Sequence, residues 1–441
     1  MSIFRSYDIR GIYDKDLTYD VVNRIGKALG TLLKGKQIVC IGHDTRLSSL
    51  DIYEALASGL MSTGCNIIFI GMVPNPVAYF YAWKNKMFGC YITASHNPKE
   101  WNGLKLIRPD GSSFVEEIHE LKAIFDSGKF LKGEGRVVAD RSAIEEYKKF
   151  LKRKLGGVRG KIAVECFGGA GVKAVEVFRY LGLEVVPLHE KPDGNFYNFS
   201  RPEPKGKNLD LLKKTVRKVK ADFGLGFDGD ADRSVFVDDR GREVNAGVIN
   251  SIFIKAVLRQ KKGKVVATVD SASEIEDIVK KCGGEIVWSP IGHNRIEQAI
   301  IKEKAVYAGE QSSHVYLSRF YPFSDGILAT LYLLKILKGA RKKLSRLVDG
   351  IKLLPVERFY VEARNDEVKN RVVENLKKQF PDAIDLVNGF KIKLNDVEWV
   401  LVRASQTLPE IVITVEARNK RRLEELARRY SGLLKRELER A

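Results

Sequence analysis

At 441 residues the chain is too long for one hydrophobic core, and several domains are expected. Hydrophobic residues at 44% and charged residues at 30% describe a globular protein; wholesale disorder is excluded, and no apolar run approaches the roughly 18 residues of a membrane span. The net charge of +19 leaves two classes open: a nucleic-acid binder, or a protein that attracts a small anion such as a phosphorylated metabolite.

The opening MSIFRSYDIRG has no apolar h-region, so no secretory signal is expected. Next, KQIVCIGHD reads as a buried strand and turn, DIYEALASGLMSTG as a helix, and CNIIFIGMV and FGCYITAS as two further strands. This βαβ rhythm predicts a parallel sheet with crossover helices, and it fades near residue 140. A Gly-rich, basic break, LGGVRGK, precedes a second such unit running from KIAVECF to DFGLGFDGDADR. A third runs from VINSIFIKAVLRQ through KVVATVD and EIVWSPIG to AVYAGEQSSH. After Leu354 the pattern becomes alternating strands, RFYVEAR, GFKIKL, WVLVRAS and IVITVEAR, with two helices. The expected fold is α/β: three similar mixed-sheet domains over residues 1–141, 142–241 and 242–354, then a smaller α+β domain over 355–441. The basic runs KKFLKRK and KKTVRKVK have helical apolar spacing and read as solvated helix faces, without aromatic interleaving. Five scattered cysteines, never in C-x-x-C spacing, read as small buried hydrophobes of a reducing, cytoplasmic compartment.

Several polar clusters interrupt these elements. YITASHNPKE ends a strand in Ser95, His96 and an extended Asn97–Pro98, a composition that could present a nucleophile. GLGFDGDADRSVFVDD carries Asp228, Asp230 and Asp232 at alternate positions between strand-like flanks. Three carboxylates so close repel one another unless a cation joins them, and hard oxygen ligands suit Mg²⁺. An EF-hand is disfavoured: its sixth position would be Arg233, its twelfth Asp239, and the flanks are not helical. A solvated acidic turn is the bland alternative. A haloacid-dehalogenase-type D-x-D, with Asp228 as nucleophile and Asp230 as acid/base, is a rival.

FGGAGVKAVEVF places Gly169, Gly171 and Ala174 in a G-x-G-x-x-A pattern with Glu190 downstream, a weak dinucleotide fingerprint or simply a tight strand-to-helix turn away from the other polar clusters. In AGEQSSH, Glu310, Ser312 and His314 alternate and could face one way toward sugar hydroxyls, or form a helix cap. In VRASQTLPEIV, Arg403, Ser405 and Thr407 make an anion cradle. RSYDIRG adds Tyr7 and Arg10, and IGH adds His293; His43 and His119 lack such company.

Taken in order, FRSYDIRG, TASHNP with NGLK, GFDGDADR, GEQSSH and RASQT resemble the α-D-phosphohexomutase family over nearly the whole chain. The resemblance implies four domains around a central cleft, each contributing one loop. It implies that Ser95 carries a phosphoryl group and that Asp228, Asp230 and Asp232, with Ser95, hold Mg²⁺. It implies that His96, Lys105 and Arg233 offset charge and that His293 moves a proton. Tyr7, Arg10, Glu310, Ser312, His314, Arg403, Ser405, Gln406 and Thr407 would bind substrate. The implied reaction interconverts hexose 1-phosphate and 6-phosphate through a hexose 1,6-bisphosphate, which also serves as activator. No nucleic-acid or membrane partner is expected, and the protein should be a monomer or homodimer. RSYDIRG and PDGNFYNFSRPEP resemble the mannose/glucose branch, whereas GEQS resembles the glucosamine branch. The chain departs from the family pattern at Gln406, Leu408 (for Glu), Val412 (for Arg) and Ser313 (for Gly). Different-class readings are the dehalogenase-type phosphatase, a nucleotide-binding oxidoreductase and a basic nucleic-acid binder.

Overall fold

The computed structural model describes residues 3–5, 8–386, 389–405 and 409–440. Its strands form four sheets. The first contains β1 (Ile9–Ile12), β2 (Ile38–His43), β3 (Asn66–Met72), β4 (Phe88–Ile92), β5 (Trp101–Ile107) and β6 (Val137–Ala139), in the order β1-β5-β4-β2-β3-β6. The second contains β7 (Lys161–Glu165), β8 (Glu184–Leu188), β9 (Phe223–Phe227) and β10 (Ser234–Val237), ordered β10-β9-β7-β8. The third contains β11 (Lys264–Thr268), β12 (Glu285–Ser289), β13 (Tyr307–Gly309) and β14 (Val315–Tyr316), ordered β12-β11-β13-β14.

These three sheets share one plan that the sequence shows only as a rhythm. In each, a central strand pairs in parallel with its neighbours: β2 with β3 and β4, β7 with β8 and β9, β11 with β12 and β13. In each, the third strand of that parallel trio then turns back into an antiparallel partner: β4 into β5, β9 into β10, β13 into β14. The three turnback loops are TASHNP, DGDAD and EQSSH. A crossover helix has no role at such a reversal, so the loop is free to carry side chains past the strand ends.

One continuous core joins these units. Phe80 packs against Tyr147, Phe150 and Tyr321, so aromatic side chains from the first three segments interlock. The apolar helix Gly326–Ala340 runs through this core, capped by Asp325, whose carboxylate accepts from the backbone of Ile327 and Leu328 and from the hydroxyls of Tyr147 and Tyr321. The basic runs do lie on amphipathic helices, Ala143–Leu155 and Asp210–Val219, with most of their Lys and Arg exposed.

The fourth sheet is antiparallel throughout, in the order β15 (Val356–Glu362), β19 (Glu410–Glu416), β18 (Trp399–Ala404), β17 (Gly389–Lys393) and β16 (Ile384–Leu386). Two helices, Asp366–Lys377 and Lys420–Glu439, cover it and complete a separate core. Among the described residues no helix is long and apolar enough to cross a membrane.

Candidate active site

Ser95 occupies the reversal between β4 and β5 with φ +52, a left-handed conformation that costs a non-glycine residue about 1 kcal/mol. Its Oγ donates to Asp228 Oδ2 at 2.7 Å and lies 3.3 Å from His96 Nδ1. Two residues that sequence reasoning passed over hold it there. Arg46 is fully buried; it donates to the carbonyls of Ser95 (2.8 Å), Asn97 (2.8 Å), Pro98 (2.6 Å) and Trp101 (2.9 Å). Asp44 pairs with Arg46 Nε at 3.1 Å and accepts from Thr93 Oγ1 at 2.8 Å, while Thr93 Oγ1 accepts from the Ser95 backbone N–H at 2.8 Å. The signal was present in HDTR at the end of β2, because β2 lies beside β4 in the sheet.

The acidic loop is the turn between β9 and β10; strands on both sides rule out an EF-hand. Asp228, Asp230 and Asp232 are buried, and each offers one oxygen within 4.8 Å of the others. Burial, then the charges of Asp230 and Asp232, push the Asp228 carboxyl well up. Burial also acts on Asp232, but Lys105 and His314 outweigh it and hold that carboxyl well below the usual range. Lys105 Nζ donates to Asp230 Oδ2 at 2.8 Å and Asp232 Oδ2 at 2.7 Å. Among the described residues, Asp230 Oδ1 is buried without a hydrogen-bond donor, and Asp232 Oδ1 lies 3.3 Å from His314 Nε2. Three buried carboxylates this close together, with one oxygen lacking a donor, fit a hard divalent cation.

The Gly-rich turn is not away from this cluster, as its sequence position suggested. It forms the back of the acidic loop: the Ala170 N–H donates to the Gly229 carbonyl at 2.9 Å, and a β-carbon on Gly169 would meet that oxygen at 2.6 Å. A β-carbon on Gly229 would in turn meet the Ser95 carbonyl at 2.4 Å. The small residues therefore let three backbones stack, the packing reading rather than a dinucleotide site.

The EQSSH reversal faces the same centre and is not a helix cap. Ser312 Oγ donates to Glu310 Oε2 at 2.6 Å, and His314 Nδ1 lies 2.8 Å from Ser312 Oγ. Burial disfavours the His314 imidazolium, but Glu310 and Asp232 overcome it and raise its pKa to about 9. Arg233 Nε lies 3.2 Å from His314 Nε2 and 3.7 Å from Asp228 Oδ2. His293 opens the helix His293–Glu303 with its ring 6.3 Å from that of His314; burial, then Lys105 and His314, lower it to about 3, so it is neutral. Burial and the charges of Arg233, Arg10 and Arg201 keep His96 neutral as well. Ser313 holds φ +70 where the family pattern has Gly. Ser313→Gly is expected to raise stability by about 0.5–1 kcal/mol, read as a higher midpoint in urea unfolding; a lower midpoint would show that the Ser side chain contributes more than its backbone strain costs.

Arg10 donates to Asp8 at 2.7 Å from β1. From the fourth sheet come Arg403 and Ser405 at the end of β18, the Ser405 carbonyl accepting from Lys369 Nζ at 2.6 Å. Tyr7, Gln406, Thr407 and Leu408 lie outside the described residues. One cavity of 450 Å³ is lined by Arg10, His96, Arg233, His293, Glu310, Ser312, His314, Arg403 and Ser405, with Ser95, Lys105 and the three aspartates buried behind it. Val412 also lines it.

Comparison with known proteins matches these features. Three domain models match the chain: phosphoglucomutase/phosphomannomutase alpha/beta/alpha domain I at residues 1–132, domain II at 142–241 and domain III at 247–353. A Methanopyrus kandleri protein named "Probable phosphoglucosamine mutase" is 35% identical, covering 98% of each chain. A "Phosphoglucomutase/phosphomannomutase" of Thermococcus kodakarensis is 33% identical, over 98% of this chain and 97% of that one. Among solved structures, a phosphoglucomutase/phosphomannomutase family protein from Burkholderia thailandensis superposes with a TM-score of 0.87 at 27% identity, covering 99% of this chain and 97% of that one.

Proposed function

The chain belongs to the phosphoglucomutase/phosphomannomutase family of intramolecular phosphotransferases, and from that premise we propose that it interconverts the 1- and 6-phosphates of glucose and mannose through phosphorylated Ser95. The observation that carries the reading is the meeting of three reversal loops and the end of β18 around one cleft, with Ser95 Oγ on Asp228 at 2.7 Å. In the proposed cycle, the bond between phosphorus and Ser95 Oγ breaks as the free hydroxyl of a hexose 1-phosphate takes the phosphoryl group. Neutral His293 accepts that hydroxyl's proton. The bisphosphate turns over in the cleft, and its other phosphoryl group returns to Ser95.

Asp228, Asp230 and Asp232 would hold Mg²⁺, which supplies charge withdrawal from the phosphoryl group in transit. Lys105 and Arg233 offset the remaining charge from fixed positions. Glu310 and Ser312 read sugar hydroxyls in either orientation, and Arg10, Arg403 and Ser405 take the phosphate that is not reacting. Hexose 1,6-bisphosphate restores the phosphoserine whenever the intermediate escapes.

The glucose and mannose choice rests on RSYDIRG and PDGNFYNFSRPEP. Glucosamine 1-phosphate is the second reading, favoured by GEQS and by the name of the Methanopyrus relative. A coupled assay with glucose, mannose and glucosamine 1-phosphates, Mg²⁺ and trace glucose 1,6-bisphosphate tests both. Turnover should appear on at least one sugar, fall at least a hundredfold in excess EDTA and return with Mg²⁺. A tenfold advantage for glucosamine in kcat/KM would reassign the substrate; no turnover on all three would remove the mutase reading.

A further inference from the structure

The segment between β8 and the helix Asp210–Val219 touches the Ser95 loop at one end and the acidic hairpin at the other. Asn195 Oδ1 accepts from Lys99 Nζ at 3.1 Å, and the Phe196 ring lies 5.0 Å from the Arg46 guanidinium. Further along, Pro202 and Pro204 press on the acidic hairpin: β-carbons on Gly229 and Gly226 would meet their rings at 3.0 and 2.7 Å. Arg201 sits between these anchors, its carbonyl accepting from the Glu203 N–H at 2.8 Å.

Its side chain is partly buried and lines the 450 Å³ cavity with Arg10, His96, Arg403 and Glu410. Three other cations of that wall are committed: Arg10 to Asp8, Arg233 to Asp228 and Asp232, and Arg358 to Asp270. Among the described residues, the Arg201 guanidinium has neither a hydrogen-bond acceptor nor a carboxylate partner. Its charge is felt at both ends of the cavity. It helps keep His96 neutral beside Ser95, and at Glu410, in the fourth sheet, it opposes the upward push of burial. Across from it, β19 presents Val412 in register with Arg403, at the position where the family pattern carries an arginine.

We propose that Arg201 is a phosphate-binding residue of the cleft, gripping the non-reacting phosphate of the sugar from the second sheet while Arg403 grips it from the fourth. Arg201 thereby supplies the positive charge that β19 lacks at Val412. The chain on both sides of Arg201 is anchored, so the backbone needs little ordering on binding, and the guanidinium fork matches a phosphate dianion.

The proposal rests on the mutase reading, and its test separates the two. Titration calorimetry with glucose 6-phosphate would compare the wild type, Arg201→Met, Arg201→Lys and Arg403→Met, alongside KM and kcat for the preferred sugar 1-phosphate. Arg201→Met should weaken glucose 6-phosphate binding and raise KM at least tenfold. Thermal midpoints should be unchanged, because no described partner is lost, and Arg201→Lys should recover part of the affinity. More hexose 1,6-bisphosphate should also escape into the medium per turnover. If Arg403→Met weakens binding but Arg201→Met stays within twofold of wild type, the Arg201 assignment is wrong and the mutase reading stands. If the wild type neither binds glucose 6-phosphate nor turns over any of the three sugars, both fall together.

Discussion

Ser95→Ala should lower mutase turnover by on the order of a thousandfold or more while the protein stays folded. Alanine removes the oxygen proposed to carry the phosphoryl group, and among the described residues no other hydroxyl donates to Asp228. The structural cost is small by comparison. Both side chains must adopt the same left-handed backbone at φ +52, so the strain is unchanged. One hydrogen bond to a buried carboxyl group is lost, about 1–3 kcal/mol. The coupled assay gives the rate, circular dichroism the fold, and intact-protein mass the loss of phosphorylation. If the variant kept a tenth of wild-type turnover, Ser95 would not be the carrier, and a phosphorylated Asp228 would then be sought as the dehalogenase-type alternative demands.

Arg46→Met is expected to produce the largest loss of stability, about 3–5 kcal/mol, because it leaves Asp44 as an uncompensated buried charge. Arg46 and Asp44 are wholly excluded from solvent, so water cannot take over from the missing guanidinium. The substitution also withdraws donors from the carbonyls of Ser95, Asn97, Pro98 and Trp101. The turn that keeps Ser95 in its left-handed conformation would relax, and turnover should fall at least a hundredfold even at temperatures where the protein remains folded. Urea unfolding followed by fluorescence gives the first quantity and the coupled assay the second. Arg46→Lys separates charge from geometry: it restores charge neutrality with Asp44 but cannot reach four carbonyls at once. It should recover stability more than activity. Equal recovery of both would mean that Arg46 acts only as a counter-ion.

Much of the site was legible because its chemistry is written in short polar runs at strand ends. TASHNP, DGDAD and EQSSH each sit on one reversal, so their residue types announce a function without knowledge of the fold. The alternation of apolar strands and helices likewise announced three α/β units and a different fourth. The sequence position of FGGAG, by contrast, misled, because its meaning lies in stacking under Gly229, a residue of the acidic loop about sixty positions on. HDTR was passed over for the same reason. Its arginine looks like an ordinary charged turn residue until β2 is set beside β4 and the guanidinium is enclosed by the carbonyls of the Ser95 loop.

The amino-acid sequence by itself determined which chemistries are available: a hydroxyl to carry a phosphoryl group, three carboxylates for a hard cation, and cations for phosphate. Those follow from side-chain identity, which needs no neighbours. Only the tertiary structure decided which of these groups meet. Ser95 reaches Asp228 across 133 positions of chain, and Lys105 reaches Asp232 across 127. It also decided which cations are already paired and which, like Arg201, have no carboxylate partner among the described residues. Pairing depends on distance and burial, and both are set by the register of sheets and by the core that locks three of them together.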